Sequence, residues 1–203
     1  MKKLLTMAEQ IKDKRLRKLV IEYIKECKPV HREFAEKITP LKKAPAADSW
    51  HHTEPGGLIL HTYSTAMLCL AVADVIEDIY DIAIDRDVLI ASALVHDLMK
   101  VAIYLKDEKG GWKFSDTVLD ALVLGVADLY ARGFPKKVIE TVAAHHGDKG
   151  PVDVFSPESI ILHYIDTLDA FINSSSEDVI KNIDIQQFLE LLASGAENEK
   201  GTE

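Results

Sequence analysis

The chain has 203 residues, 47% hydrophobic and 28% charged, which fits one compact domain with a sizeable core and excludes extended disorder for most of its length. Acidic residues outnumber basic ones, 33 to 24, and the formal charge of −9 argues against a broad basic face for long nucleic acid. The two cysteines, Cys27 and Cys69, form neither a disulfide framework nor a CxxC clip, so a reducing, cytoplasmic setting is the expectation.

The opening "MKKLLTMAEQIKDKR" is basic, but charges return after a few apolar residues, unlike a signal peptide. No apolar run is expected to approach the ~20 residues that span a bilayer, so no membrane partner is expected. From Met7 to Lys28, Ile11, Leu16, Leu19, Val20, Tyr23 and Ile24 recur near helical spacing, and Pro29 stops the helix. A short helix follows from His31 to Ile38, and "TPLKKAPAADSWHHTEPGG" reads as a long loop.

Gly57 to Tyr80 is apolar almost all round, the pattern of a central helix, with Met67, Leu68 and Leu70 read as core. Asp85 is the expected N-cap of a helix carrying "VLIASALVHDLMK". "YLKDEKGGWKF" places Gly110-Gly111 between two aromatic-containing arms, a small hairpin or flap. Further helices are predicted over Thr117 to Arg132, Pro135 to His146, Pro157 to Ile172 and Ile183 to Leu192. The expected fold is all-α, a single helical bundle with one small hairpin: N-terminal helices over 1–39 packing on the core, the main domain over 40–194, and a frayed tail over 195–203.

Why does the apolar run from Ala91 to Val95 end in His96 and Asp97? An uncompensated buried carboxylate is costly, so it needs a partner, a metal or a shifted pKa. His61 lies in the central apolar helix, His145 and His146 end a later one, and Asp166 sits in the apolar surround of "SIILHYIDTLDAF". A lone histidine on an apolar face is ordinarily a satisfied core residue. Ligand-type residues on several core helices weaken that reading, because a bundle can aim imidazole and carboxylate at one Mn, Fe, Ni, Co or Zn ion. Spacing alone leaves convergence open.

The segments "GGLILHT", "ALVHDLMK", "AAHHGD" and "ILHYIDTLDA" resemble, in order and context, the H…HD…D pattern of the HD-domain metal-dependent phosphohydrolase superfamily. The chain is most similar to the HD domain of bacterial 3′→5′ exoribonucleases that pair it with an OB-fold, over roughly Pro40 to Asn173. The resemblance implies metal ligation by His61, His96, Asp97 and Asp166, with one divalent transition metal per chain. Relatives with a second metal carry a histidine where this sequence has Val126, so Asp128, Asp120 or water would have to replace it. The doublet departs from "HDIGK" at Leu98 and Met99 but keeps Lys100.

The resemblance further implies a metal-activated water attacking phosphorus in a nucleotide or short oligonucleotide, as a mono- or diesterase. Asp97 would bridge metal and water, Lys100 would meet phosphate, and one of His145 and His146 would face the reacting group. His51 and His52, taken as an exposed loop pair, would line the substrate mouth; His163 would orient Asp166, and Asp169 has no metal role. An OB-fold is absent from the helical residues before Pro40, so a short phosphate-containing partner is expected rather than long RNA. The alternative is a catalytically weak regulatory module that keeps the metal- and nucleotide-binding site. The apolar helix faces permit a homo-oligomer.

Overall fold

The computed structural model describes residues 1–174, so the helix expected over 183–192 and the tail over 195–203 lie outside the described residues. The single helix expected from Met7 to Lys28 is two, α1 (Lys2–Ala8) and α2 (Lys14–Glu26). Asp13 is the reason for the break: its carboxylate accepts the Leu16 N–H at 2.7 Å and caps α2. The Asp87 carboxylate accepts the Lys12 and Asp13 N–H groups at 2.8 and 2.7 Å, satisfying donors that an unbroken helix would have used internally. The segment after Pro29 is only a 3-10 turn, Arg32–Ala35.

The central helix is α3 (Gly57–Tyr80), with the bounds its apolar pattern predicts. It is long and apolar enough by length and composition to cross a membrane, which corrects the expectation that no segment is. Its N-terminal half buries His61, Thr62, Thr65 and Ala66, whereas Val75, Ile79 and Tyr80 are exposed. Met67 is 47% exposed and is not core, because it points away from the neighbouring helices α4 (Arg86–Val95) and α8 (Pro157–Ser174). The Asp85 carboxylate caps α4 by accepting from the Val88 N–H at 3.2 Å, and every α4 residue from Val88 to Val95 is buried.

The run through Lys100 is not one helix. After Val95 the chain makes a turn over residues 96–99 and resumes as α5 (Lys100–Ile103). The predicted hairpin forms from β1 (Tyr104–Lys106) and β2 (Trp112–Phe114), antiparallel, with Leu105 opposite Lys113. Next, α6 (Ala121–Ala131) starts later than Thr117 because Asp120 caps it through the Val123 N–H at 2.7 Å. Finally α7 (Lys136–Ala143) stops before the histidine pair, which lies in the following turn. Pro135 sits at the N-cap of α7, and Pro157 opens α8. The apolar faces of these helices form one core, to which α1 and α2 contribute Leu4, Met7, Val20 and Tyr23.

Among the described residues, the long stretch between the 3-10 turn and α3 has no helix or strand, but it is pinned. Thr39 N–H donates to Val101 at 2.8 Å, Ala46 N–H to His52 at 3.0 Å and Leu58 N–H to Ala44 at 3.1 Å. Gly57 lets the His52 backbone come close to the start of α3: a Cβ on it would stand 2.0 Å from the His52 carbonyl oxygen, the atom that accepts from Ala46. Gly57→Ala is therefore expected to destabilise the protein by about 1–3 kcal/mol, as forced overpacking does. A urea titration reads this as a lower midpoint with unchanged slope, and an unmoved midpoint would show that the loop yields freely.

Candidate metal centre

Separate parts of the chain deliver ligand-type side chains to one buried point. α3 brings His61, the turn after α4 brings His96 and Asp97, and α8 brings Asp166; one ligand atom from each lies within 4.8 Å of all the others. His61 Nε2 is 3.3 Å from Asp97 Oδ2 and 3.0 Å from Asp166 Oδ1. His96 Nε2 is 3.4 Å from each of the same two oxygens. Lys100, one turn beyond Asp97, places Nζ 2.5 Å from Asp97 Oδ2.

The imidazole tautomers follow from what each Nδ1 meets. His96 Nδ1 lies 2.9 Å from the Ala93 carbonyl and His145 Nδ1 2.7 Å from the Val142 carbonyl; a carbonyl can only accept, so each Nδ1 carries a proton and Nε2 is the nitrogen turned toward the carboxylates. His61 Nδ1 is held at 2.7 Å by Asp169 Oδ2 in the same sense. The Nε2 atoms of His61, His96 and His145 are all buried without a hydrogen-bond partner. Lone pairs facing carboxylate oxygens across 3.0–3.4 Å repel unless positive charge stands between them. Histidines locked through Nδ1 with Nε2 turned toward carboxylates are a donor set that fits a divalent transition metal.

Charge balance points the same way. Asp97, Asp166 and Asp169 surround His61, and the Lys100 ammonium is paired to Asp97. Burial opposes charge on His61, yet the adjacent Asp166, Asp169 and Asp97 carboxylates outweigh it and raise its pKa well above the usual histidine value. Burial likewise opposes charge on His96, but Asp97 and Asp166 raise it to about 9. Burial raises Asp97 and Asp166, but Lys100 and the histidines His96 and His61 hold the Asp97 carboxyl, and His61 and His96 the Asp166 carboxyl, well below the usual range. Protons on His61 and His96 thus supply the positive charge that these carboxylates demand. His145 behaves oppositely: burial and the neighbouring His96 lower it to about 3, so it is neutral. The centre is least covered at Asp166 and Lys100, whose side chains are 18% and 15% exposed.

Of the helix-ending pair, His145 reaches this point, with Nε2 3.8 Å from Asp97 Oδ1 and its ring 5.0 Å from that of His96. His146 packs against the His145 ring at 4.2 Å and is only half-buried. His51 and His52 are buried, not exposed as the loop composition suggests. Asn173 Oδ1 accepts the His52 N–H at 2.5 Å, and the His51 ring lies 5.1 Å from His61. Burial, Lys100 and His61 push His51 down to about 3, and burial and His61 lower His52, so both are neutral.

His163 does not orient Asp166. Its Nδ1–H donates to the His145 carbonyl at 2.8 Å, in a space that exists because residue 147 is glycine: a Cβ there would stand 2.7 Å from the His163 ring. Asp169, given no metal role from the sequence, fixes the ring of His61; its position three residues after Asp166 on the same helix face is the available signal. Val126 faces an apolar groove with Leu122, Tyr130 and Ile139. Neither acid proposed to replace a ligand there is free to do so: Asp120 caps α6, and Asp128 accepts from the Val30 N–H and Arg132.

The model of the HD domain family matches residues 58–170. The chain is 45% identical over 174 residues to dihydroneopterin 2′,3′-cyclic phosphate phosphodiesterase of Methanocaldococcus jannaschii, covering 85% of this chain and 70% of that protein. It is 32% identical over 145 residues to the 3′-5′ exoribonuclease YhaM of Bacillus subtilis, and 30% over 141 residues to that of Bacillus licheniformis. Each of these matches covers 64% of this chain and only 43% of the exoribonuclease. The higher identity is therefore to a cyclic phosphodiesterase rather than to the exoribonucleases. No solved structure matches the chain.

Elemental analysis of protein purified without chelator is expected to find about one transition metal per chain, and none in His96→Ala or Asp97→Ala, because a buried cluster missing a ligand binds poorly. Asp169→Asn should weaken metal affinity about 10–100-fold while leaving the ligand set complete. Equal metal content in wild type and His96→Ala would rule out the cluster as the binding site.

Proposed function

This chain belongs to the HD domain family, and from that premise we propose that it opens the 2′,3′-cyclic phosphate of a small heterocyclic compound. It is a metal-dependent phosphodiesterase. The observation that carries the finer reading is the convergence of His61, His96, Asp97 and Asp166, with free Nε2 atoms, in a chain 45% identical to a cyclic phosphodiesterase. These residues would hold one divalent ion, for which mixed imidazole and carboxylate suits Mn, Fe, Co, Ni or Zn. When bound, such an ion lowers the pKa of a coordinated water and offsets charge on the phosphoryl group. The apolar surroundings of Val126 support a single ion per chain.

The chain's own groups divide the remaining tasks. Lys100 reaches the least covered side of the centre as a cation and meets a non-bridging phosphate oxygen, while its pairing with Asp97 keeps it in place. His145, neutral and with its Nδ1 proton committed to Val142, turns its Nε2 lone pair toward the centre, where it would accept a hydrogen bond from the attacking water and orient it. Asp97 lies against His61, His96 and Lys100, so it would link an ion held by these residues to the phosphate-binding cation. His51 and His52 back His61 and close the centre from the loop side, excluding bulk water. In the net reaction one water adds across one P–O ester bond. Its oxygen stays on phosphorus, and a proton ends on the released alcohol.

The metal-loaded protein is expected to hydrolyse 2′,3′-cyclic phosphates to monophosphates, measured by phosphorus NMR. Asp97→Ala should abolish turnover, and His145→Ala should lower kcat about 10²-fold, the size of effect for a misplaced reactant. Turnover surviving in Asp97→Ala would sink the mechanism. Loss of 3′-terminal nucleotides from oligonucleotides in preference to cyclic phosphate opening would move the substrate toward that of the exoribonuclease relatives.

A further inference from the structure

Among the described residues, Trp50 combines half exposure with a place beside the buried centre. Its relative exposure is 45%, and it directly precedes His51. The Trp50 ring meets the His51 ring at 4.3 Å, and His51 in turn meets His61 at 5.1 Å. On its other side Trp50 meets Phe171 of α8, edge-to-face at 6.0 Å; Phe171, 45% exposed, lies on the same helix as Asp166. A ladder of ring contacts therefore leads from open solvent to the metal centre.

The loop that carries Trp50 is held at several points. Thr53 accepts the Trp112 indole N–H at 2.6 Å, so the hairpin is tied to this loop, and Asn173 Oδ1 holds the His52 N–H at 2.5 Å. Ala44, Ala46 and Ala47 are buried beneath it. The indole is thus presented by a fixed backbone rather than by a free tip, which spares a ligand the entropy of ordering it. Indole offers a large π-face at low conformational cost, and such faces take planar heteroaromatic rings with little demand on their hydrogen-bonding edges.

We propose that Trp50, backed by His51 and Phe171, is the specificity-determining platform of the site, on which the planar heterocycle of the substrate stacks while its cyclic phosphate reaches Lys100 and the metal centre. This rests on the cyclic phosphodiesterase reading above and names what that reading leaves open, the residue that receives the heterocycle. The class selected is a bicyclic or purine-like ring joined by a short chain to the phosphate. Trp50 is a binding residue in this scheme and takes no part in bond making or breaking.

The test compares the metal-loaded wild type with Trp50→Ala and Trp50→Phe on dihydroneopterin 2′,3′-cyclic phosphate and on ring-free glycerol 1,2-cyclic phosphate. Trp50→Ala is expected to reduce the preference for the ring-bearing substrate, the ratio of the two kcat/KM values, about tenfold, the effect of one lost stack. The change should fall on KM, and Trp50→Phe should recover most of it. A preference unchanged in Trp50→Ala overturns the platform and leaves the cyclic phosphodiesterase reading standing. Should neither substrate be hydrolysed, that reading fails by itself, and a binding measurement still decides the platform. The chain has two tryptophans, so 5-fluorotryptophan labelling gives two fluorine resonances, one assigned to Trp50 by its disappearance in Trp50→Phe. Neopterin is expected to shift that resonance and not that of Trp112; a shift at Trp112 alone, or none, refutes the platform.

Discussion

Asp97, Asp166 and Asp169 all lie within ion-pair distance of a single buried imidazole, His61. Carboxylates gathered in a water-poor interior repel one another and each forgoes hydration, so the arrangement is tolerable only with compensating positive charge. Lys100 supplies one such charge from the edge. The remainder must come from protons on the histidines or from a cation among them, and the unpartnered Nε2 atoms show where a cation is wanted. Much of the fold around this point can be read as the means of holding these groups together despite their repulsion.

Those means are local and chemical. α4 is buried along most of its length and ends at Val95, so the following turn, rather than a helix face, presents His96 and Asp97. His96 and His145 each return an Nδ1 proton to a carbonyl three residues earlier, which fixes both rings by their own backbone. His61 cannot use that device within a continuing helix, where the preceding carbonyls are already engaged, and takes its orientation from Asp169 instead. His163, seated over Gly147, holds the carbonyl of His145 and so locks the turn from the far side.

Residue pattern made the central helix, the Asp85 cap and the hairpin legible, because apolar periodicity, side-chain caps and glycine-bearing turns are local signals. Membership of His61, His96, Asp97 and Asp166 in one cluster was legible through the order of its motifs, not through spacing. What stayed hidden depended on tertiary contact. The Asp87 carboxylate that receives the backbone between α1 and α2 is 74 residues from Asp13 in sequence, so a periodic run of apolar residues hid the break. His51 and His52 read as exposed because their loop is rich in proline and glycine, yet Gly57 lets the His52 backbone press against the first turn of α3 and carries the pair inside. The part Asp169 plays in holding His61 is a contact across the bundle, which its spacing from Asp166 hints at but does not specify.

The surplus of buried negative charge has a thermodynamic corollary beyond ligation. Any divalent ion that prefers the assembled cluster to the open chain shifts the folding equilibrium by mass action, about 1.4 kcal/mol for each tenfold rise in free ion above its dissociation constant. The unloaded state holds protons on His61 and His96 where the loaded state holds the ion, so loading releases protons and becomes more favourable as pH rises. The supply of free metal is then a determinant of how much native protein a given quantity of polypeptide yields, and the enzyme's abundance and its cofactor's availability become coupled variables.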